Sequence, residues 1–141
     1  MPSWEPTAMR KPFRVMVAGA ALETFFAASE EEKSKRAMPR FKQILAEWEE
    51  LGARVVASMC DDVFQVGPTE PPRWAWYLLF DVDDLEIAAA MMQATREQVD
   101  GVRGDSYFRF ELRVGRPFYA REDLRRSSTG RPRTKRHSSR G

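Results

Sequence analysis

Four segments of the chain alternate apolar residues with other residues, the period of two that predicts β-strands. The predicted strands are Phe13–Ala18, Arg54–Cys60, Trp74–Val82 and Tyr107–Val114. Gly19 is expected to end the first strand. On the second strand, Ser58 and Cys60 are expected to share one face, opposite Ala57 and Met59. A short further strand, Val63–Val66, is expected after a tight turn at Asp61-Asp62.

Two other segments have apolar residues at spacings of three and four, which predicts amphipathic helices. The first helix is predicted over residues 30–51, after a capping-box serine at Ser29. Pro39 lies inside it and has no amide donor, so we expect a kink or a break near Met38. The second helix is predicted from the Asp83-Asp84 pair to Gln98, with an apolar face made of Leu85, Ala88, Ala89, Met92 and Val99.

The order of these elements, β-α-β-(β)-β-α-β, predicts an α+β domain of the ferredoxin-like type, an antiparallel sheet with both helices on one face. The domain is predicted to span residues 12–120, between a flexible arm (1–11) and a disordered basic tail (121–141). Its open sheet face would carry Met16 and Leu79. Because such apolar surface usually meets a partner, we expect a homodimer, a dimeric α+β barrel whose two sheets enclose a cavity.

Charge is distributed unevenly along the 141 residues, whose formal net charge is +2. Residues 121–141 carry eight Lys and Arg against Glu122 and Asp123, a net charge of +6, which leaves −4 on residues 1–120. The domain therefore has no excess of basic residues for binding phosphates. Phe108 and Phe110 are expected to face the helices, so the exposed stacking pair of an RNA-binding sheet is missing, and we expect no nucleic-acid partner for the domain.

The single cysteine, Cys60, excludes an intrachain disulfide and favours a reducing compartment, the cytoplasm. Basic residues ahead of the apolar run Val15–Leu22 resemble the start of a signal peptide. That run is short and Glu23 follows it directly, which favours a first strand instead. No stretch approaches the roughly 20 apolar residues that a membrane-spanning helix needs.

The candidate ligand-binding residues lie on the last strand and on the aromatic-rich strand expected beside it. Arg109 and Arg113 share a face with Glu111; the arginines could bind a carboxylate, and Glu111 could orient them or exchange protons. The alternative is an ion-pair ladder at a dimer interface. Trp74, Trp76 and Tyr77 could stack on an aromatic ring or belong to the core. The candidate set is completed by Ser58.

Catalytic residues are not assigned by the sequence. The only histidine, His137, lies in the predicted tail, so triads that use histidine and haem or zinc sites lack their usual residue. Cys60 is expected to be a small apolar residue rather than a nucleophile. Asp61-Asp62 could hold a cation or act as a base, but we expect a turn, in which two Asp residues are common for backbone reasons alone. Nucleotide-binding and metal-binding motifs are absent, and neither a cofactor nor a metal is expected.

Several short motifs resemble the IacB-like proteins encoded in bacterial indole-3-acetate catabolism clusters, a group that is similar to dimeric α+β barrel and darcynin-like proteins. The motifs are Asp61-Asp62, Gln65-Val66-Gly67-Pro68, Trp74-Ala75-Trp76-Tyr77 and Leu112-Arg113-Val114-Gly115-Arg116-Pro117. The resemblance covers residues 13–120 and implies a homodimer associated with the catabolism of aromatic compounds. It implies no catalytic residues, and the N-terminal arm and the basic tail depart from the pattern.

Two functions from different classes remain open at this point. The first is a small homodimeric protein that binds or processes an aromatic acid, such as indole-3-acetate, in a barrel cavity. The alternative is a non-catalytic interaction module whose basic tail contacts an acidic partner or nucleic acid, in a salt-dependent manner. Stabilisation by a small ligand would favour the first function, and salt-dependent binding to a duplex would favour the second.

Overall fold

The computed structural model of the chain describes residues 11–68 and 73–116. Residues 1–10 of the predicted arm and the whole predicted tail lie outside the described residues. Within these described ranges no helix combines the length and the apolar character needed to cross a membrane. In chain order the elements are β1 Phe13–Ala21, α1 Glu23–Ala27, α2 Glu30–Glu32, a π-helical turn Lys33–Ala37, α3 Met38–Leu51, β2 Arg54–Cys60, β3 Trp76–Val82, α4 Leu85–Arg96, β4 Gln98–Val99, β5 Val102–Arg103, a 3-10 turn Gly104–Ser106 and β6 Phe108–Gly115.

The fold is an α+β arrangement of a four-stranded antiparallel sheet and two main helices, α3 and α4. The strand order is β2-β3-β1-β6, and β4 and β5 form a separate two-stranded ladder. In the register, Val15 pairs with Phe80 on one side and Val114 on the other, while Met16 pairs with Leu79 and Arg113. The class, the antiparallel sheet and the two helices agree with the prediction.

The core lies between α3, α4 and one face of the sheet. Its buried residues are Val15, Val17, Ile44, Trp48, Ala53, Phe80, Val82, Ala88, Met91 and Ala94. The indole nitrogen of Trp48 donates to the Met91 carbonyl at 2.9 Å, so the largest buried side chain also satisfies its polar atom. The side chains of α3 and α4 therefore share one core with this sheet face, which we call the helix side.

A buried arginine joins the two helices at the end of α4. Arg40 is only 3% exposed, and its guanidinium donates to the carbonyls of Ala94 at 2.9 Å and Glu97 at 3.3 Å. Helix C-termini leave carbonyls without partners inside the helix, and a cation there also interacts favourably with the helix dipole. Glu47 accepts from the same guanidinium at 3.3 Å, which balances its charge.

The predicted break near Met38 does not occur: the chain stays helical from Glu30 to Leu51 and changes there only from a π-helical turn to an α-helix. Ser29 accepts a hydrogen bond from the Glu32 amide at 3.0 Å, as expected for an N-terminal cap. The π-helical turn then ends at Ala37, and α3 begins at Met38 with Pro39 in its first turn. Proline is tolerated there because the first amides of a helix have no acceptor within that helix.

The sequence predicted that the first strand ends at Gly19. In the structure this strand continues to Ala21. Gly19 lies on the helix side against Trp76. A Cβ atom added at Gly19 would stand 2.0 Å from the Trp76 ring. The missing side chain is thus required by packing rather than by a turn, because the indole occupies the place of a Cβ.

The prediction of a strand over Val63–Val66 is wrong. These residues form no ladder, and the side chains of Val63, Phe64 and Val66 are between 76% and 84% exposed. A strand needs a partner to satisfy the hydrogen bonds of its backbone, and an isolated apolar run has none.

The buried face of α4 is rotated relative to the predicted face. Met91 is buried where Met92 was expected, and Ala89 is exposed.

We predict that Gly19→Ala lowers the free energy of unfolding by about 1–3 kcal/mol, because the added methyl group overpacks the Trp76 ring. Gly115→Ala is the matched control, since Gly115 also lies in a strand but a Cβ there meets nothing within 4 Å. Urea denaturation of both variants measures the difference. Equal stability of the two variants would contradict this account of Gly19.

Candidate functional site

The sheet face opposite the helices, here called the uncovered face, carries most of the predicted site residues. On β6 it presents Arg109, Glu111 and Arg113, which pair in the register with Ala20, Ala18 and Met16 of β1. Neighbouring strands share a face at paired positions, so Tyr77 and Leu79 of β3 lie on this face as well. The structure therefore brings the three charged residues of β6 and Tyr77 to one face.

Ser58 lies on the helix side, contrary to the prediction. The register shifts between Val55 and Ala57, so Val56 is an extra residue, a β-bulge. Beyond the bulge Ser58 pairs with Leu78, a residue packed against the core. One inserted residue exchanges the faces of all later side chains, so the same correction moves Cys60 to the helix side and places Ala57 and Met59 on the uncovered face.

Trp76 also lies on the helix side, so Trp76 and Tyr77 cannot flank one ligand from the same face. The Trp76 ring packs edge to face against Phe41 at a centroid distance of 5.3 Å and against Phe110 at 5.9 Å. This is the core role that the sequence analysis held as the alternative. Of the two aromatic residues, only Tyr77 is available to the uncovered face.

A hollow of about 490 Å³ lies on the uncovered face, over β2 and β3. We call it the open-face hollow. The segment after β2 forms one wall, through the exposed residues Phe64 and Val66. Its lining consists of Met16, Ala57, Ser58, Met59, Asp61, Phe64, Gln65, Val66, Tyr77, Leu78 and Leu79. The lining is mostly apolar with a few polar groups, which is the usual composition of a small-molecule pocket.

Arg109 is held by its own chain at the far end of this face. Its guanidinium carbon stands 4.6 Å from the centroid of the Trp74 ring, and Nη2 donates to the Arg73 carbonyl at 2.8 Å. The Nε atom is buried and has no hydrogen-bond partner. These contacts hold the segment that leads into β3 in place. They also occupy part of the Arg109 guanidinium, which is then not available to a ligand.

Arg113 is far less constrained than Arg109. Its side chain is 76% exposed, and among the described residues it forms an ion pair with Glu111 of the same strand at 3.5 Å. In the register it stands next to Met16, which lines the open-face hollow. Arg113 is thus the arginine of the predicted pair that is near the hollow and available to a ligand.

Sequence reasoning missed two contributors to this face, Met59 and Phe64, and gave Trp74 the wrong element. Met59 was assigned to the other face because an undetected bulge reverses the alternation. Phe64 was placed in a strand that does not form, and Trp74 lies just before β3 rather than within it. The apolar residues Val63, Phe64 and Val66 beside a Pro-rich stretch were the one available signal of a loop that packs on a surface.

Ionisable groups at other places in the fold show perturbed pKa values. The hydrogen bond that Tyr107 donates to Glu32 at 2.6 Å, together with burial, raises the pKa of the Tyr107 hydroxyl. The Arg54 guanidinium lowers the pKa of the Asp83 carboxyl. In the described ranges, His, Cys, Asp and Glu side chains form no group of three that could hold a metal ion.

Comparison of the chain with known proteins adds no assignment. No protein-family model matches the chain, and no curated protein matches it.

We predict that Arg109→Ala lowers the free energy of unfolding by about 1–2 kcal/mol, because it removes the stacking on Trp74 and the bond to the Arg73 carbonyl. Arg113→Ala is the control and is expected to change stability by less than about 0.5 kcal/mol, since that side chain is exposed. Thermal and urea unfolding measure both. Equal losses would show that Arg109 is no more anchored than Arg113.

Proposed function

We propose that the protein is a homodimer that binds a small aromatic carboxylic acid between two facing sheets. The observation that carries the proposal is the apolar open-face hollow beside an available arginine. In this proposal the uncovered faces of two copies pack together as a dimeric α+β barrel and close their hollows. Water is then excluded, and an ion pair inside becomes stronger than on a surface.

Exposed apolar side chains on the uncovered face support the dimer. Met16 is 45% exposed and Met59 57% exposed. Burying such surface contributes about 25 cal/mol per Å². The charged groups that flank this area, Arg14 and Asp81, already pair with each other at 3.0 Å, so a second apolar face would meet few unpaired charges there.

The carboxylate of the ligand is assigned to Arg113 rather than Arg109. Arg113 adjoins Met16 at the hollow, while Arg109 is occupied by Trp74 and the Arg73 carbonyl. Tyr77 and Met59 line the hollow and would contact the aromatic ring. Glu111 pairs with Arg113 and is in position to orient it or to exchange a proton with the ligand.

The physiological role in this proposal is the catabolism of aromatic acids of the indole-3-acetate type. The strand order β2-β3-β1-β6 is compatible with a ferredoxin-like domain, and the resemblance of residues 13–120 to IacB-like proteins points to the same role. Whether the ligand is only bound or also processed depends on Glu111, the carboxylate that pairs with Arg113.

We predict a dimer in light scattering at micromolar concentration, and a monomer for Met59→Asp, because a carboxylate buried at an apolar interface is costly and the register partner Tyr77 carries no positive charge. Leu85→Asp is the matched control: Leu85 is 45% exposed, against 57% for Met59, but it lies at the start of α4. This variant is expected to remain dimeric. A monomeric wild type would contradict the enclosed cavity, and a dimeric Met59→Asp would show that the interface lies on another surface.

We predict that indole-3-acetate binds the wild type and that Arg113→Ala weakens binding by about 2–5 kcal/mol, the cost of losing a buried charge pair. Arg109→Ala serves as the control and should retain wild-type affinity, since Arg109 is held by its own chain. Calorimetric titration distinguishes these cases. The ligand proposal is abandoned if the wild type binds no aromatic acid, or if Arg113→Ala binds as tightly as the wild type.

A further inference from the structure

Strand β2 is exposed along its whole length although it pairs with β3. All seven residues from Arg54 to Cys60 are exposed. By contrast, Val15 and Val17 of β1 and Phe80 of β3 are buried beneath the helices. Helix α3 therefore covers the middle of the sheet and leaves the helix side of β2 without a cover.

The gap between α3 and this overhanging strand is a cleft of about 500 Å³, within the range of about 300–1,000 Å³ typical of small-molecule sites. We call it the helix-side cleft. The bulge at Val56 turns Ser58 and Cys60 toward it. Its lining consists of Met38, Phe41, Leu45, Ser58, Met59, Cys60, Trp76, Tyr77, Leu78 and Phe108.

We propose that the helix-side cleft binds a neutral aromatic molecule of one or two rings. Three aromatic side chains, Phe41, Trp76 and Phe108, contribute to its lining. They already pack edge to face or tilted against one another, with Phe41 at the centre at 5.3 Å from Trp76 and 4.8 Å from Phe108. A planar ring can join such a cluster in the same geometries.

Charge complementarity defines the ligand class. The described residues that line the cleft include no Asp, Glu, Lys, Arg or His, and the polar side chains that face it are the Ser58 hydroxyl and the Cys60 thiol. A carboxylate or an ammonium group would lose water there without gaining an ion pair, which is costly. A hydroxyl or an NH group can instead exchange a hydrogen bond with Ser58. The cleft thus fits a neutral ring with one small polar substituent.

This site is distinct from the aromatic-acid site proposed above. The two cavities lie on opposite faces of β2, where the side chains of Ala57 and Ser58 point to opposite sides. Ser58, Met59, Tyr77 and Leu78 belong to the linings of both cavities, whereas Ala57 lines only the open-face hollow. A large side chain at position 58 enters the helix-side cleft, and one at position 57 enters the open-face hollow. Both positions are exposed, so either substitution is compatible with folding.

The single cysteine reports occupancy of the cleft, because Cys60 is exposed and lines it. The rate of its reaction with 5,5′-dithiobis(2-nitrobenzoate) is measured with and without 1-naphthol, a neutral probe, and with 1-naphthoate, its charged counterpart. At about ten times the Kd, 1-naphthol should slow the reaction about tenfold, since the rate follows the unliganded fraction. The same concentration of 1-naphthoate should leave the rate unchanged.

Two variants locate the effect. Ser58→Phe should abolish the protection by 1-naphthol, expressed as the ratio of rates within the same variant, while Ala57→Phe should retain it. Binding of indole-3-acetate is followed by calorimetric titration instead, and Ala57→Phe should block it because Ala57 lines the open-face hollow and not the cleft. A chain in which Ala57→Phe loses indole-3-acetate and keeps the protection by 1-naphthol has two separate sites, so the failure of one is distinguishable from the failure of the other.

Three results would overturn the proposal: no protection by 1-naphthol in the wild type, equal protection in Ser58→Phe, or equal protection by 1-naphthoate. A thiol that is unreactive without any probe would also overturn it, because another part of the chain would then cover the cleft. If the basal rate instead falls as protein concentration rises, the occupant is a second copy and not a small molecule.

Discussion

Burial of a single face of the sheet beneath α3 and α4 is the constraint on which the other features depend. The core on that face is closed by aromatic packing, with Trp48 against Phe80 at 5.7 Å and Trp76 placed over the bare backbone of Gly19. Two helices cover the central strands but not β2. The molecule therefore retains apolar surface on the uncovered face and along the helix side of its edge strand, and both proposed binding sites follow from this incomplete cover.

The bulge at Val56 divides that apolar surface between the two cavities. Without the extra residue, Ser58 and Cys60 would point to the uncovered face and Met59 to the helices. With it, the side chains of Ser58 and Cys60 face the helix-side cleft, and those of the more apolar Ala57 and Met59 face the open-face hollow. A single inserted residue in an edge strand thus sets the chemistry of both sites, a common effect of bulges at sheet edges.

Electrostatics separate residues that stabilise the fold from residues available to a ligand. Arg40 and Arg109 are both held by backbone carbonyls, one at the end of α4 and the other before β3. The Arg113 side chain forms an ion pair with Glu111 of its own strand and is largely exposed. The three residues are equally cationic in sequence, so their roles depend on which acceptors the fold brings near them.

Local patterning was sufficient for the class and the main elements of this protein. Alternation gave the bounds of β2, and capping chemistry located both main helical regions, because these signals arise between residues close in sequence. It also placed Arg109, Glu111 and Arg113 on one face of β6. The positions of Ser58 and Trp76, the extension of β1 past Gly19, and the loop at Val63–Val66 were decided only by the tertiary structure. Each depends on a partner strand or a ring distant in sequence, which no local pattern encodes.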